Sequence, residues 1–201
     1  MAQSVAGPDG KLRCRWSSAT PEYIHYHDTE WGFPVADDQR LFEKLSLEGF
    51  QSGLSWRTIL MKRENFREAF CGFDFERVAR FTQRDVERLL KNEGIVRHRG
   101  KIEAAINNAQ RAIELAEKEG SLAAFLWRYE PDAKQLAAPQ TVSTSEASIA
   151  LSKDLKKLGW KFVGPTNVYA FMQAMGMVND HNDDCIIRAQ VARARKKFKK
   201  P

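Results

Sequence analysis

The spacing of the apolar residues constrains the fold of this chain more than any other feature of its sequence. Apolar residues recur at intervals of three and four, which is the spacing of an amphipathic helix, and the strict alternation typical of strands is almost absent. Clear examples are Ile102/Ile106/Ala109/Ile113, Leu151/Leu155/Leu158 and Val168/Met172/Met175. The pattern predicts an all-α domain of about eight short helices.

Three of the predicted helices begin with a capping signal. Pro21 follows Thr20, and proline is common at the first helical position. Thr82-Gln-Arg-Asp85 marks a second helix start, and Ser143-Thr-Ser-Glu146 fits a capping box. Because no internal repeat or low-complexity linker separates the helices, we expect them to share one body, with a less regular segment at about 131–141.

The positive charge is concentrated at the end of the chain. The sequence has 32 Lys and Arg against 26 Asp and Glu, a net charge of +6, and residues 188–201 hold seven of the basic residues and no acidic one. The first 187 residues are therefore close to neutral. We predict a single domain over residues 1–187 and a basic, flexible tail over 188–201.

Length and hydropathy exclude several classes of protein. A chain of 201 residues that is 43% hydrophobic can bury a core. No apolar run approaches the roughly 18 residues that a membrane span needs, and the first 14 residues lack the apolar stretch of a secretion signal. The three cysteines are too scattered for a disulfide framework, so we expect free thiols or metal ligands. These features predict a soluble intracellular protein without a membrane partner.

Two Cys/His pairs lie at opposite ends of the chain. His181 and Cys185 are four residues apart, so one helical face or a tight turn can offer both to one ion. Cys14 and His27 form the second pair, although spacing alone leaves His25 as an alternative ligand. Two Cys and two His complete a tetrahedral set for Zn²⁺, and four protein ligands are typical of a structural site. Isolated core or surface groups fit the same pattern.

A catalytic zinc is a second interpretation of the N-terminal pair. His27-Asp-Thr-Glu30 offers a ligand and a general base. However, the H-x-E and P-C-x-x-C signature of nucleobase deaminases is absent, and so is the H-E-x-x-H pair of metalloproteases. We therefore favour a structural zinc.

Five large aromatic residues and one carboxylate indicate a pocket. The aromatic residues lie between positions 16 and 56 and are Trp16, Tyr23, Tyr26, Trp31 and Trp56. Glu48 follows Leu41 by seven residues and Leu45 by three, which puts a carboxylate on the apolar face of a helix. Such a group must be neutral, paired or reserved for a ligand with donors. Aromatic walls and one acid suit a flat cation, although a hydrophobic minicore is the alternative.

The segment from about 149 to 176 has the pattern of a helix-hairpin-helix. Two amphipathic stretches flank a short turn that contains Gly159 and Gly164. Turn amides and the following helix N-terminus, at Gly164 and Thr166, can bind a DNA phosphate, and Lys161 adds positive charge. A plain helical hairpin is the alternative. A second cationic turn, at 94–101, can contact phosphate or lie in solvent.

Taken together, these residues closely resemble the DNA-3-methyladenine glycosylase I family, a zinc-containing branch of the helix-hairpin-helix DNA glycosylases. The resemblance covers about 13–185 and is carried, in order, by RCRW, YIHYHDTEWG, LFEKLSLEGFQSGLSW, KRENFREAF, GIVRHRGKI, LSKDLKKLGWKFVGPT and FMQAMGMVNDH. It implies one structural zinc held by Cys14, His27, His181 and Cys185, which selects His27 over His25. It also implies a base pocket in which Glu48 acts with Tyr23, Tyr26, Trp31 and Trp56, close to Trp16.

The resemblance implies a DNA repair enzyme. Its expected activity is base excision of 3-methyladenine from alkylated double-stranded DNA by hydrolysis of the N-glycosidic bond, without a lyase step, in a monomer located in the bacterial cytoplasm. Glu48 is the expected catalytic residue, and we do not assign catalysis to Asp180. A non-catalytic, zinc-braced module that binds alkylated or kinked DNA is the alternative, and a glycosylase for another N-alkylated purine is a third interpretation.

Overall fold

The helical prediction is confirmed in the described part of the chain. The computed structural model describes residues 4–132, 134 and 136–201, and in these ranges it contains eleven α-helices. They are α1 (Pro21–Thr29), α2 (Asp38–Gln51), α3 (Trp56–Met61), α4 (Arg63–Ala69), α5 (Phe75–Val78), α6 (Gln83–Leu90), α7 (Arg99–Glu119), α8 (Leu122–Leu126), α9 (Glu146–Lys157), α10 (Pro165–Ala174) and α11 (Arg188–Lys197). Across the described ranges, no helix is both long and apolar enough to cross a membrane.

Short helices explain why the described residues contain eleven helices where the sequence predicted about eight. Helices α3, α5 and α8 have only four to six residues, too few to show a helical period in the sequence. Among the described residues, 3-10 helices cover Arg15–Ala19, Cys71–Phe73 and Trp127–Tyr129. A small antiparallel sheet joins β1 (Ser4–Ala6) to β2 (Leu12–Cys14), with Ser4 opposite Cys14.

Two of the three predicted helix starts are confirmed. Thr20 caps α1, with Pro21 at the first helical position, and the Asp85 carboxylate accepts the Thr82 backbone N–H at 2.9 Å. The third prediction is wrong by two residues, because Ser145, not Ser143, caps α9 and exchanges hydrogen bonds with Ser148. Glu146 is itself the first residue of that helix, so it cannot fill the third position of the box.

Helix α2 lies in the middle of the core. All residues from 41 to 50 are buried, and the helix packs against α7, α8 and α10. It carries the predicted Glu48 into the protein interior. Three other polar residues, Glu43, Lys44 and Ser46, are buried on it as well, so the helix needs polar partners inside the protein.

Helices α9 and α10 form the hairpin predicted at about 149–176, joined by residues 158–164. Side chains outside the turn hold it in place. Asn108 of α7 donates to the Lys161 carbonyl and accepts the Lys161 N–H, both at 2.8 Å. The Ser152 hydroxyl donates to the Val163 carbonyl at 2.6 Å. The hairpin is therefore attached to the long helix α7.

The prediction of a flexible tail is wrong for most of residues 188–201. Residues Arg188–Lys197 form α11, whose Val191 is fully buried. The Phe198 ring packs on Trp127 at a centroid distance of 4.5 Å, and Arg195 pairs with Glu130 at 2.7 Å. The basic residues indicated solvent, but the two apolar side chains at 191 and 198 give the segment a face that packs on the body.

The packing of Phe198 predicts a measurable contribution to stability. Phe198→Ala removes the ring from Trp127 and should lower the free energy of unfolding by about 1–2 kcal/mol, measured by urea denaturation. Lys199→Ala, at the next, exposed position, is the control and should leave the urea midpoint unchanged. Equal midpoints for both variants would show that α11 does not depend on this contact.

Candidate active site and metal centre

A pocket of about 370 Å³ opens between α1, α2, α3 and α10. The structure brings together in it all six residues predicted for the base pocket. Its lining comprises Trp16, Tyr23, Tyr26, Trp31, Lys44, Glu48, Gln51, Trp56, Gln140, Val142, Ala170 and Gln173. The pocket is therefore aromatic on several sides and has a carboxylate among its polar groups.

The aromatic rings support one another through edge contacts. Trp16 meets Tyr23 edge-on at a centroid distance of 5.7 Å and Trp31 at 5.1 Å, and Tyr26 lies 5.4 Å from Trp56. Tyr26 and Trp31 are buried, whereas Trp16, Tyr23 and Trp56 are only partly covered. This arrangement leaves ring surface available to a flat ligand.

Glu48 is paired inside the pocket by a lysine that sequence analysis missed. The Lys44 Nζ lies 2.7 Å from Glu48 Oε1 and 3.3 Å from the centroid of the Trp56 ring. Burial lowers the pKa of Lys44, while the Glu48 carboxylate opposes that shift. Burial, followed by Glu48, holds the pKa of Tyr26 well above its usual range. The spacing of four residues between Lys44 and Glu48 was the available signal.

An ion pair between Arg63 and Glu30 lies next to Tyr26 of the pocket. The Arg63 guanidinium donates to both carboxylate oxygens of Glu30, at 2.7 and 2.8 Å, and its central carbon lies 6.0 Å from the Tyr26 ring. Two parallel bonds of this kind restrict both side chains. The pair therefore holds the Arg63 guanidinium near the Tyr26 ring.

Two glutamines on the pocket wall are held by Asp180. The Gln140 backbone N–H donates to Asp180 Oδ1 at 3.0 Å, and the Gln173 side chain donates to Oδ2. Asp180 is 3% exposed, and burial raises the pKa of its carboxyl group. Asp180 thus links α10 to the backbone at Gln140. Sequence analysis missed both glutamines, since neither belongs to a motif.

Three of the four predicted metal ligands form one buried cluster. The donor atoms of Cys14, His27 and Cys185 all lie within 4.8 Å of one another. The Cys185 Sγ is 3.5 Å from His27 Nε2. Hydrogen bonds from Cys14 and His27 lower the pKa of Cys185, and the hydrogen bond with Cys185 raises the pKa of Cys14.

His181 lies beside this cluster. Its ring centroid is 4.8 Å from that of His27, and its Nδ1 is 3.1 Å from the Asn179 side-chain oxygen. Its Nε2 is buried and has no hydrogen-bond partner among the described residues. Burial lowers the pKa of His181 to about 4, so the ring is neutral at physiological pH and can be a ligand.

The local structure also distinguishes the two N-terminal histidines. His27 is fully buried, and its Nδ1 lies 2.7 Å from the Asp28 carboxylate, which Arg13 holds in turn. A carboxylate on one ring nitrogen orients the other nitrogen toward an ion. His25, two residues earlier, is exposed. The cluster connects to the pocket through Trp16, whose ring centroid is 5.4 Å from that of His27.

The predicted phosphate contacts lie at the exposed end of the hairpin. Lys161 and Thr166 are exposed, and Gly164 is the N-cap of α10.

The second cationic turn, at 94–101, offers fewer free cations to a phosphate than the sequence indicated. Lys101 is buried and donates to the carbonyls of Phe50 and Ser52, at 2.9 and 2.6 Å.

Known proteins resemble the chain over most of its length. The family model for methyladenine glycosylase matches residues 16–189. DNA-3-methyladenine glycosylase 1 of Escherichia coli is 49% identical over 177 residues, covering 86% of this chain and 95% of the relative. DNA-3-methyladenine glycosylase of Haemophilus influenzae is 45% identical, covering 86% and 96%.

Solved structures of 3-methyladenine DNA glycosylase I resemble this chain in both sequence and fold. A crystal structure of 3-methyladenine DNA glycosylase I is 49% identical, with a TM-score of 0.81, and covers 87% of this chain and 98% of its own. A Staphylococcus aureus 3-methyladenine DNA glycosylase I, whose structure concerns 3-methyladenine recognition, is 40% identical, with a TM-score of 0.82 and coverage of 87% and 95%. By family match, identity and fold, this chain belongs to the methyladenine glycosylase family.

Proposed function

We propose that this protein is a DNA-3-methyladenine glycosylase that excises the alkylated base from duplex DNA and leaves an abasic site. The observation that carries the proposal is the aromatic pocket with the buried carboxylate of Glu48, in a chain of this family. In the reaction the bond between C1′ of the sugar and the base nitrogen breaks. The electron pair stays on the base, water adds to C1′, and a proton is released.

The substrate suits a pocket of this kind. Methylation at N3 gives the base in DNA a positive charge, so it leaves readily and needs no protonation by the enzyme. The nucleotide must leave the duplex to reach the pocket, and flipping costs least for a damaged, weakly stacked base. Trp16, Tyr23 and Trp56 offer ring surface for stacking.

Glu48 is proposed to bind the N–H groups of the extruded base. Its Oε1 is paired with Lys44, so Oε2 is the oxygen assigned to the base. A hydrogen bond to a carboxylate in a site shielded from water is stronger than one between neutral groups. In this scheme Glu48 orients the base rather than activating water.

The hairpin is proposed to bind the DNA backbone. The first amides of α10, at Thr166 and after it, have no acceptor within the helix, and the helix dipole favours an anion there. Gly164 allows close approach of a phosphate, and Lys161 lies on the exposed turn. These contacts would be independent of base sequence.

Zn²⁺ is the ion proposed for the cluster, with Cys14, His27, His181 and Cys185 as ligands. Two thiols and two imidazoles match the donors that zinc prefers, and the buried, unpartnered His181 Nε2 supports a fourth ligand beside the other three. A zinc ion held by four protein ligands has a structural role. It would join β2 and α1 to the segment before α11.

The assignment of Glu48 predicts a loss of activity in Glu48→Gln. Losing the charge-assisted hydrogen bond should cost about 1.5–3 kcal/mol, or roughly 10-fold to 150-fold in the release of 3-methyladenine from methylated DNA, measured by chromatography of free bases. Glu43→Gln changes a buried carboxylate on the same helix outside the pocket and is the control. Release at the wild-type rate by Glu48→Gln would refute the assignment.

The proposed zinc predicts that Cys185→Ser loses both metal and stability. We expect about one zinc per wild-type chain by elemental analysis, little in Cys185→Ser, and a clearly lower melting temperature for that variant. Cys71→Ser is the matched control, because Cys71 lies outside the cluster. Wild-type protein purified without chelator that contained no zinc would contradict the proposal.

The link between Asn108 and the hairpin predicts an effect on DNA binding. Asn108→Ala removes both hydrogen bonds to Lys161 and should cost about 1–3 kcal/mol of stability while weakening binding to undamaged DNA in a fluorescence anisotropy titration. Gln110→Ala, at an exposed position on the same helix, is the control. Unchanged DNA affinity in a folded Asn108→Ala variant would argue against the hairpin as a contact.

A further inference from the structure

A buried lysine lines the pocket that is proposed for a cationic base. The side chains of Lys44 and Glu48 are 8% and 5% exposed. The Lys44 Nζ lies 2.7 Å from Glu48 Oε1, 3.3 Å from the Trp56 ring centroid and 5.3 Å from that of Tyr26. The carboxylate and the rings that suit a cationic ligand therefore already contact a cation of the protein itself.

The position of this ammonium follows from the burial of α2. Lysine usually extends along the surface until its charge reaches water, but every residue from 41 to 50 is buried. Glu48, one turn later on the same helix, and the electron-rich face of Trp56 are the groups that compensate its charge. These two contacts give the ammonium a defined place at the pocket wall.

A cation at this place affects charged and uncharged bases differently. A methylated base that stacks on Trp56 and bonds Glu48 comes close to the Lys44 ammonium, so a positively charged base is repelled and an uncharged base is not. Lys44 also neutralises part of the attraction that Glu48 offers to a cation. In addition, an ammonium has three N–H donors, and one that is not used by Glu48 can bind a ring nitrogen or carbonyl oxygen of an uncharged base.

We propose that Lys44 is a specificity-determining residue that lowers the preference of the pocket for cationic over uncharged methylated purines and donates a hydrogen bond to an acceptor atom of the uncharged base. This inference rests on the proposed function, because it takes the base to lie between Trp56 and Glu48. It widens the expected substrate class to N-alkylated purines without a formal charge.

The test compares two small ligands that differ in charge. Free 3-methyladenine is uncharged in mildly alkaline buffer, whereas 3,9-dimethyladeninium keeps a permanent positive charge. Both dissociation constants are measured by calorimetry for wild type, Lys44→Met and Lys44→Arg. Lys44→Met keeps an unbranched side chain of similar length without the charge, and Lys44→Arg keeps a cation. Lys118→Met, at an exposed lysine of α7, is the control.

We expect Lys44→Met to shift the ratio of the two dissociation constants toward the cation by at least about tenfold, or about 1.4 kcal/mol. Lys44→Arg and Lys118→Met should stay close to the wild-type ratio. An unchanged ratio in Lys44→Met, with both ligands still bound, would overturn the inference. If Lys44→Met does not fold, Lys44→Gln replaces it, because a neutral amide can still bond Glu48.

Failure of the proposed glycosylase function would give results different from failure of the Lys44 proposal. In that case wild-type protein would release no 3-methyladenine from methylated DNA and would bind neither small ligand. Release of the base by wild type, together with an unchanged ratio in the Lys44 variants, would leave the proposed function intact and reject only the role of Lys44.

Discussion

The burial of α2 on all sides is the constraint on which the rest of the structure depends. Charged side chains that are buried on a helix need partners inside the protein, and so do the last carbonyl groups of the helix. Glu48 meets this demand through Lys44, and Glu43 through Arg67 at 2.8 Å. The Lys44–Glu48 pair lines the cavity that we propose as the base pocket. Trp56 and Tyr26 line the same cavity.

Helix α7 connects the pocket to the hairpin. Its Lys101 donates to the carbonyls of Phe50 and Ser52, where α2 ends, and its Asn108 holds both backbone groups of Lys161 in the hairpin turn. Asn167 of α10 adds a bond to the Ser52 hydroxyl at 2.9 Å. The proposed DNA contacts and the proposed base contacts are therefore positioned by the same helix, which suits an enzyme that must hold the backbone while a base is extruded.

Sequence patterns predicted which residues line the pocket, but they did not predict that Lys44 pairs with Glu48. The density of aromatic residues and the place of Glu48 on an apolar face indicated which side chains share a pocket, and the structure brings them together. The same spacing argument missed Lys44, because Lys and Glu four residues apart usually lie on a solvent-exposed face. In residues 188–201, seven basic residues indicated solvent, whereas the contacts of Val191 and Phe198 with the body outweigh that tendency.

The sequence by itself determined the helical class, the starts of α1 and α6, the aromatic cluster with a carboxylate on the apolar face of a helix, and the resemblance to a known family. These follow from residue type and spacing, which act over a few neighbouring positions. Only the tertiary structure decided that Lys44 meets Glu48 over Trp56 and that the basic C-terminal segment packs as a helix. Each of these depends on burial by residues distant in sequence, and local spacing carries no information about that burial.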